Sequence, residues 1–231
     1  MSLVITPLGH ELLDDPAADP AIAAASLRNI ARANRWFGNT WLIAAALRDL
    51  IGTVPPGTEL TLLDLGTGVG DLPRFAVRWA GRRRIIIRPV GLELNRVAAS
   101  MAHTAGVPTM VACAGTPPLR PHSVDLVLVS QLLHHLTPES AVGLLRTCKR
   151  LARRGVVISE LRRSPLARLA FRTGSAVLRF DPATRHDGLL SIRRGYTATE
   201  LTALLAEAGM PARARGRAPF RLVAAWRRGA G

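Results

Sequence analysis

One stretch limits what this chain can fold into more than any other: Thr61-Leu62-Leu63-Asp64-Leu65-Gly66-Thr67-Gly68-Val69-Gly70-Asp71. The apolar run from Leu60 to Leu65 reads as a buried strand with one acid, Asp64, near its end. Gly66, Gly68 and Gly70 follow at alternate positions, and the amphipathic segment from Leu72 to Trp79 predicts a helix. Strand, glycine turn and helix open the nucleotide site of an open α/β sheet. Glycine accepts a positive φ and lets a ligand lie against the backbone. The start of the helix then offers unpaired N–H groups to a polar ligand.

The rest of the chain supplies the alternation such a sheet needs. A second strand is expected from Arg84 to Glu93, with a bulge, irregularity or late start forced by Pro89. Glu93 follows Gly70 by 23 positions, close to the spacing at which an acid meets ribose hydroxyls in dinucleotide folds. A carboxylate can accept two hydroxyl protons at once. Asn95 caps a helix to about Ala105, and Thr109 to Ala112 makes a short third strand. The fully apolar run Leu126-Val127-Leu128-Val129 predicts a central fourth strand ending at Ser130 and Gln131. Ligands in such sheets lie beyond the carboxyl ends of the strands, which puts Ser130, Gln131, His134 and His135 at the mouth of the site. Neighbours on a helix point about 100° apart, so one of the two histidines at most is expected to face an acceptor. Thr137-Pro138-Glu139 starts a helix to about Ala152. Val156-Val157-Ile158 is a fifth strand ending at Glu160.

Outside this core, Asp19-Pro20 caps a helix over Ile22 to Asn34, and Trp41 to Ile51 forms a second. Glu11 to Pro16 reads as a helical stub. A helix from Ser164 to about Arg179, a turn at Arg185-His186-Asp187-Gly188, and a capping box at Thr197 to Glu200 follow the fifth strand. Arg213 to Arg217 and Phe220 to Arg227 read as a terminal antiparallel hairpin.

Formal net charge is +15, from 31 Lys+Arg against 16 Asp+Glu. Nucleic acid is not the favoured partner. Lys149 is the one lysine, the arginines sit in short scattered clusters, and aromatics at 4% are too few for a base-stacking platform. An anionic membrane surface stays open as a peripheral contact. Cys113 and Cys148 show no metal-type spacing, so reduced thiols, no metal centre and a cytoplasmic location are expected. Met1 to His10 lacks the pattern of a signal peptide.

The dinucleotide fingerprint separates its second and third glycines by two residues; here Val69 alone separates Gly68 from Gly70. That Gly-x-Gly-x-Gly pattern after Leu63-Asp64-Leu65 resembles motif I of class I S-adenosylmethionine-dependent methyltransferases. So do Glu93, the Leu133-His134-His135-Leu136 loop and the terminal hairpin. The resemblance implies a Rossmann-like, seven-stranded mixed sheet with a terminal antiparallel hairpin. It implies a helical lid over residues 1–57, a donor-binding domain over 58–231, and a lid insertion over about 162–196. It also implies S-adenosylmethionine as cofactor, held by Asp64, Gly66, Thr67, Gly68, Gly70, Glu93, Leu94, Ser130 and Gln131. Relatives commonly place an acid after the third strand for the adenine amino group. This chain has none there, so backbone groups around Cys113 and Ala114 are expected instead.

Asn34, Arg35 and Trp36, in the lid, are candidates to face the acceptor. His134, His135 and Glu160 are candidates for the base. Glu11-x-x-Asp14-Asp15-Pro16, Asn34-Arg35-Trp36-Phe37-Gly38, Glu160-Leu161-Arg162-Arg163-Ser164 and Asp187-Gly188-Leu189-Leu190-Ser191 resemble a bacterial group tied to polyketide and phenolic-lipid pathways. That resemblance implies O-methylation of a small hydroxylated aromatic or polyketide-like acceptor by a monomer or homodimer. C-methylation of a quinone-type ring, an RNA methyltransferase, a nicotinamide-dependent reductase and a non-catalytic donor-binding module are the competing readings.

Overall fold

The computed structural model describes residues 11, 19–217 and 220–229; of the Glu11 to Pro16 stub, only Glu11 falls within them. Seven strands form one sheet: β1 (Glu59–Leu65), β2 (Ile86–Glu93), β3 (Thr109–Val111), β4 (Val124–Ser130), β5 (Ala152–Leu161), β6 (Arg215–Arg217) and β7 (Arg221–Arg227). Their spatial order is β3-β2-β1-β4-β5-β7-β6. The first five run parallel; β7 is antiparallel to β5 and β6. β4 is central, as its unbroken apolar run requires, and Leu126 to Val129 are fully buried.

The helices are α1 (Pro20–Trp36), α2 (Asn39–Ile51), α3 (Asp71–Gly81), α4 (Arg96–Thr104), α5 (Pro138–Leu151), α6 (Pro165–Val177), α7 (Pro182–Arg194) and α8 (Ala198–Glu207). Two apolar layers follow from the alternation of the strands. On one face α2 and α3 bury Ile43, Leu47, Leu50 and Trp79 against Leu60, Leu62, Leu126, Leu128 and Val157. On the other, α5 and α8 bury Leu144, Leu145, Cys148, Leu201 and Leu205 against Leu63, Leu65, Val127, Val156 and Ile158. Burial pushes the Cys148 thiol up to about 12, so it stays protonated.

Two details differ from expectation. β2 runs through Pro89 without a bulge: its register on β1 is continuous from Glu59↔Ile86 to Leu65↔Leu92. β3 pairs only with residues 91–93, so the missing N–H of Pro89 faces an edge and costs no ladder bond. The Arg185 to Gly188 segment is inside α7 rather than a turn. Asp181 caps that helix by accepting from Thr184 N at 2.9 Å, with Pro182 in its first turn. The chain therefore reverses between Val177 and Pro182.

α6, α7 and α1 pack on one another. Asn29 Nδ2 donates to Asp181 Oδ2 (2.8 Å), Arg32 Nη2 donates to the Leu178 carbonyl (2.8 Å), and Phe37, Phe171 and Phe180 stack in series. The positive charge has local structural uses. Arg146, Arg150 and Arg228 donate to the carbonyls of Glu207, Leu119 and Ala152, lining a surface cleft with Lys149 and His122. No helix among the described residues is long and apolar enough to cross a membrane.

Leu128, fully buried at the centre of β4, tests the core. Leu128→Ala should cost about 2–5 kcal/mol, read as a lower urea midpoint at unchanged slope.

Candidate donor and acceptor site

The strand order reverses between β1 and β4, and the glycine turn lies in that crevice. Gly66, Gly68 and Gly70 all take positive φ, from 55 to 72°. Open space lies beside Gly68, whereas a Cβ on Gly70 would sit 2.9 Å from Val107 Cγ2. Gly68 thus leaves room for a ligand, and Gly70 lets α3 approach the loop after α4. Gly66 N and Thr67 N donate to the Leu92 carbonyl (2.8 and 3.2 Å), tying the turn to the end of β2.

Glu93 grips the same turn from its side chain. Its Oε2 accepts from Gly68 N (2.9 Å) and its Oε1 from Leu94 N and Asn95 N (2.8 and 3.0 Å). The carboxylate is half-buried and keeps lone pairs for hydroxyl donors. Leu94 and Val111, 58% and 53% exposed, stand at the adjoining ends of β2 and β3 and offer apolar surface beside it. Ala114 is buried and Cys113 half-buried; Thr116 N closes the turn onto the Cys113 carbonyl at 3.2 Å.

Two more acids face this turn. Asp64 is buried; Oδ2 accepts from Thr67 Oγ1 (2.9 Å), and Oδ1 is buried without a hydrogen-bond partner. Its carboxyl lies well above the usual range, chiefly through burial, with Thr67 opposing and the charges of Asp71 and Glu93 adding to the rise. Burial also raises Asp71, against a 3.0 Å hydrogen bond from Asn34 Nδ2. In a chain of charge +15, the glycine turn is bordered by three acids. To the extent that they ionise, their sign suits the sulfonium and ammonium groups of S-adenosylmethionine.

Asn34 connects the amino-terminal helices to the sheet. Its Oδ1 accepts from Gln131 Nε2 (2.7 Å) and Asn39 Nδ2 (3.0 Å); Asn39 Nδ2 also donates to Ser130 Oγ (3.0 Å), and Ser159 Oγ donates to Asn39 Oδ1 (2.6 Å). The structure thus brings Asn34, Ser130 and Gln131 together. Asn39 and Asp71 join them without having been singled out from the sequence. Both stand at helix starts after a glycine, a signal that reads as capping. Arg35 and Trp36, the latter 67% exposed, lie on the outer surface of α1.

Beyond Gln131, residues Leu133–His135 form a 3₁₀ turn. Both histidine rings lie on one side, 4.3 Å apart between centroids, against the expectation that neighbours diverge. Glu160, fully buried at the end of β5, holds this turn. Oε1 accepts from Leu133 N (2.7 Å), and Oε2 accepts from Leu161 N (3.1 Å) and lies 2.9 Å from His134 Nδ1. Burial alone would raise its pKa, but the charge and hydrogen bond of His134 and the two N–H donors bring it below the usual range. An ionised carboxylate only accepts, so His134 Nδ1 donates; in the neutral ring Nε2 then carries the lone pair. His134 Nε2 is buried with no hydrogen-bond partner. Tyr196 Oη donates to the Leu133 carbonyl (2.9 Å) and fixes the turn from the insertion side. Arg221 is buried near Glu160, and burial lowers its guanidinium to about 10 against the pull of that carboxylate.

Asp64 yields a pH-dependent test. The folded chain holds its proton more tightly than the unfolded chain. Its stability is intact below the usual carboxyl range and is lost as pH rises through the raised value. The melting temperature of Asp64→Asn should therefore rise relative to the unsubstituted chain from about pH 5 to about pH 8, by calorimetry. A constant difference would contradict the assignment.

The family model described as Methyltransferase domain matches residues 63–159, from β1 to the end of β5. No curated protein matches the chain. Among solved structures, a SAM-dependent methyltransferase from Aquifex aeolicus is similar at TM-score 0.60 and 15% identity, covering 90% of this chain and 98% of that one. The plantazolicin methyltransferase BpumL, solved with a monoazolic desmethylPZN analog and SAH, gives TM-score 0.63 at 13% identity, covering 91% and 98%. Human N-acetylserotonin methyltransferase, solved with SAM, gives 0.60 at 16%, covering 88% of this chain and 55% of that one. At these identities the likeness establishes the fold, to which the family match and the acid-ringed glycine turn add the chemistry. Residues 63–159 carry a methyltransferase domain, on the fold that the chain shares with these solved S-adenosylmethionine-dependent methyltransferases.

Proposed function

We propose that the protein methylates a small hydroxylated aromatic or polyketide-like acceptor on oxygen, with His134 taking the acceptor proton. The observation that carries this reading is the His134–Glu160 pair. Glu160 fixes the ring through Nδ1, and Nε2 keeps an unused lone pair just past the end of β4. The His loop adjoins the donor turn: a Cβ on Gly66 would lie 3.4 Å from the Leu132 side chain. Glu160 is then a positioning residue, since its oxygens are occupied by Leu133 N, Leu161 N and His134.

S-adenosylmethionine supplies an activated methyl group, so orientation, water exclusion and removal of one proton are what the chain must add. Glu93 is the candidate for the ribose diol, using the lone pairs that Gly68, Leu94 and Asn95 leave. Asp64, Gly66, Thr67, Gly68 and Gly70 border the cationic tail, Ser130 and Gln131 close the crevice, and Leu94 and the Cys113–Ala114 backbone border the adenine.

The lid on the domain of residues 58–231 is read as residues 1–57, of which Glu11 and residues 19–57 are described, with the insertion over about 162–196; within it α2 also packs on the sheet. The Asn34 network supports this reading, because it joins α1 to the donor side of the sheet. Asn34 is the inner contact. Arg35 and Trp36 meet an acceptor from the outer side only if its tail runs over α1. The phenol of such an acceptor has a pKa of about 10, so a neutral imidazole is a competent partner for its proton near neutrality.

His134→Ala should lower turnover by about 10²-fold or more while donor affinity changes little. Full turnover would remove the base assignment. Glu93→Ala should weaken S-adenosylhomocysteine by about tenfold or more in calorimetry, the worth of one charge-assisted hydrogen bond. Unchanged affinity would remove the ribose assignment.

A further inference from the structure

Glu11, His134 and His135 converge in a way that proton abstraction alone does not need. One ligating atom from each lies within 4.8 Å of the other two. His135 Nε2 is 3.9 Å from Glu11 Oε2. His134 Nε2 is buried and has no hydrogen-bond partner, and it is the ring nitrogen that Glu160 leaves for a ligand.

The far side of the cluster is already tied down. His134 Nδ1 is held by the Glu160 carboxylate at 2.9 Å. Glu11 Oε1 accepts from Ser191 Oγ (2.8 Å) and Arg194 Nη1 (3.1 Å), both on α7. A histidine that gives one ring N–H to a carboxylate and presents the other nitrogen is the usual support of a metal-bound imidazole.

We propose that Glu11, His134 and His135 bind one first-row divalent cation of the zinc type, and that the ion competes with the acceptor proton for His134 Nε2. Two imidazoles and one carboxylate oxygen make the three-ligand set of open zinc sites, with a fourth position for water. Imidazole donors select against magnesium and calcium, which take oxygen ligands. Bonds of about 2.0–2.2 Å place tetrahedral ligand atoms roughly 3.3 Å apart, so the three groups must draw in by about 1 Å. Arg194 on Oε1 limits Glu11 to one coordinating oxygen.

The seat also joins three separated parts of the chain: Glu11, the loop after β4, and α7 behind Glu11. A bound ion would clamp the insertion onto the histidine turn. Metal binding as such does not depend on the methyltransferase chemistry; its effect on turnover rests on His134 being the base.

The test uses the full chain, stripped with chelator and dialysed. Zn²⁺ is titrated by calorimetry and Co²⁺ by visible ligand-field absorption. One equivalent should bind at micromolar affinity or tighter, with tetrahedral Co²⁺ bands, while Mg²⁺ gives no heat. Glu11→Gln and His135→Gln should each weaken Zn²⁺ at least tenfold with unchanged circular dichroism, and Cys113→Ser should keep the stoichiometry. No binding at tens of micromolar, or binding that survives the Glu11→Gln/His135→Gln pair, overturns the site. Turnover of the unsubstituted enzyme should fall in step with Zn²⁺ occupancy; occupancy without that fall overturns the competition. Full turnover of metal-free His134→Ala would instead remove the base reading and leave the binding result standing.

Discussion

The Glu93 carboxylate is the contact on which the donor site depends. It gathers three backbone N–H groups, from Gly68, Leu94 and Asn95, and so joins the glycine turn after β1 to the end of β2. Without it the part-buried N–H groups of Gly68 and Asn95 would be left unpaired, at a cost of up to about 1–3 kcal/mol each, while the exposed Leu94 N–H would turn to water. The place of Glu93 at the end of β2 lets one side chain hold both the glycine turn and the first residues after the strand.

The electrostatics of the site run against those of the chain. The surface is strongly basic, and many of its arginines serve carbonyls at element ends. The glycine turn carries Asp64, Asp71 and Glu93 instead. Burial already raises Asp64 and Asp71, which means their charges are held at a cost. A cationic nucleoside relieves that cost and an anionic one worsens it. The spacing of the glycines and the sign of the field therefore select the same class of cofactor by separate physical routes.

The acceptor side is built on burial. Glu160 is fully buried and still ionised because every lone pair direction in use has an N–H to meet. It fixes His134 and leaves one ring nitrogen open. α1 reaches this region through the amides and hydroxyls of Asn34, Asn39, Gln131, Ser130 and Ser159, while α2, which carries Asn39, is also held to the sheet by Ile43, Leu47 and Leu50.

Local pattern was enough for the elements of the sheet. The apolar runs at Leu60 to Leu65 and Leu126 to Val129, the three glycines, the caps at Asp19, Asn95, Thr137, Ser164 and Thr197, and the final hairpin are short-range features, and they appear where periodicity and capping chemistry put them. Pro89 and the Arg185 to Gly188 segment were misjudged because neighbours decide them. Pro89 is tolerated since β3 is too short to face it. Gly188 stands within α7 where a Cβ would meet the Phe171 ring, so its lack of a side chain lets α6 and α7 pack closely. Sequence alone determined the fold, the donor turn and the acid that closes it, since those depend on residues within one β-α-β unit. Only the tertiary structure decided that both histidines of one turn face Glu11, that Glu160 stands behind His134, and that Asn34 meets Asp71. Those contacts join residues 26 to about 120 positions apart, and no local periodicity encodes a distance that packing alone sets.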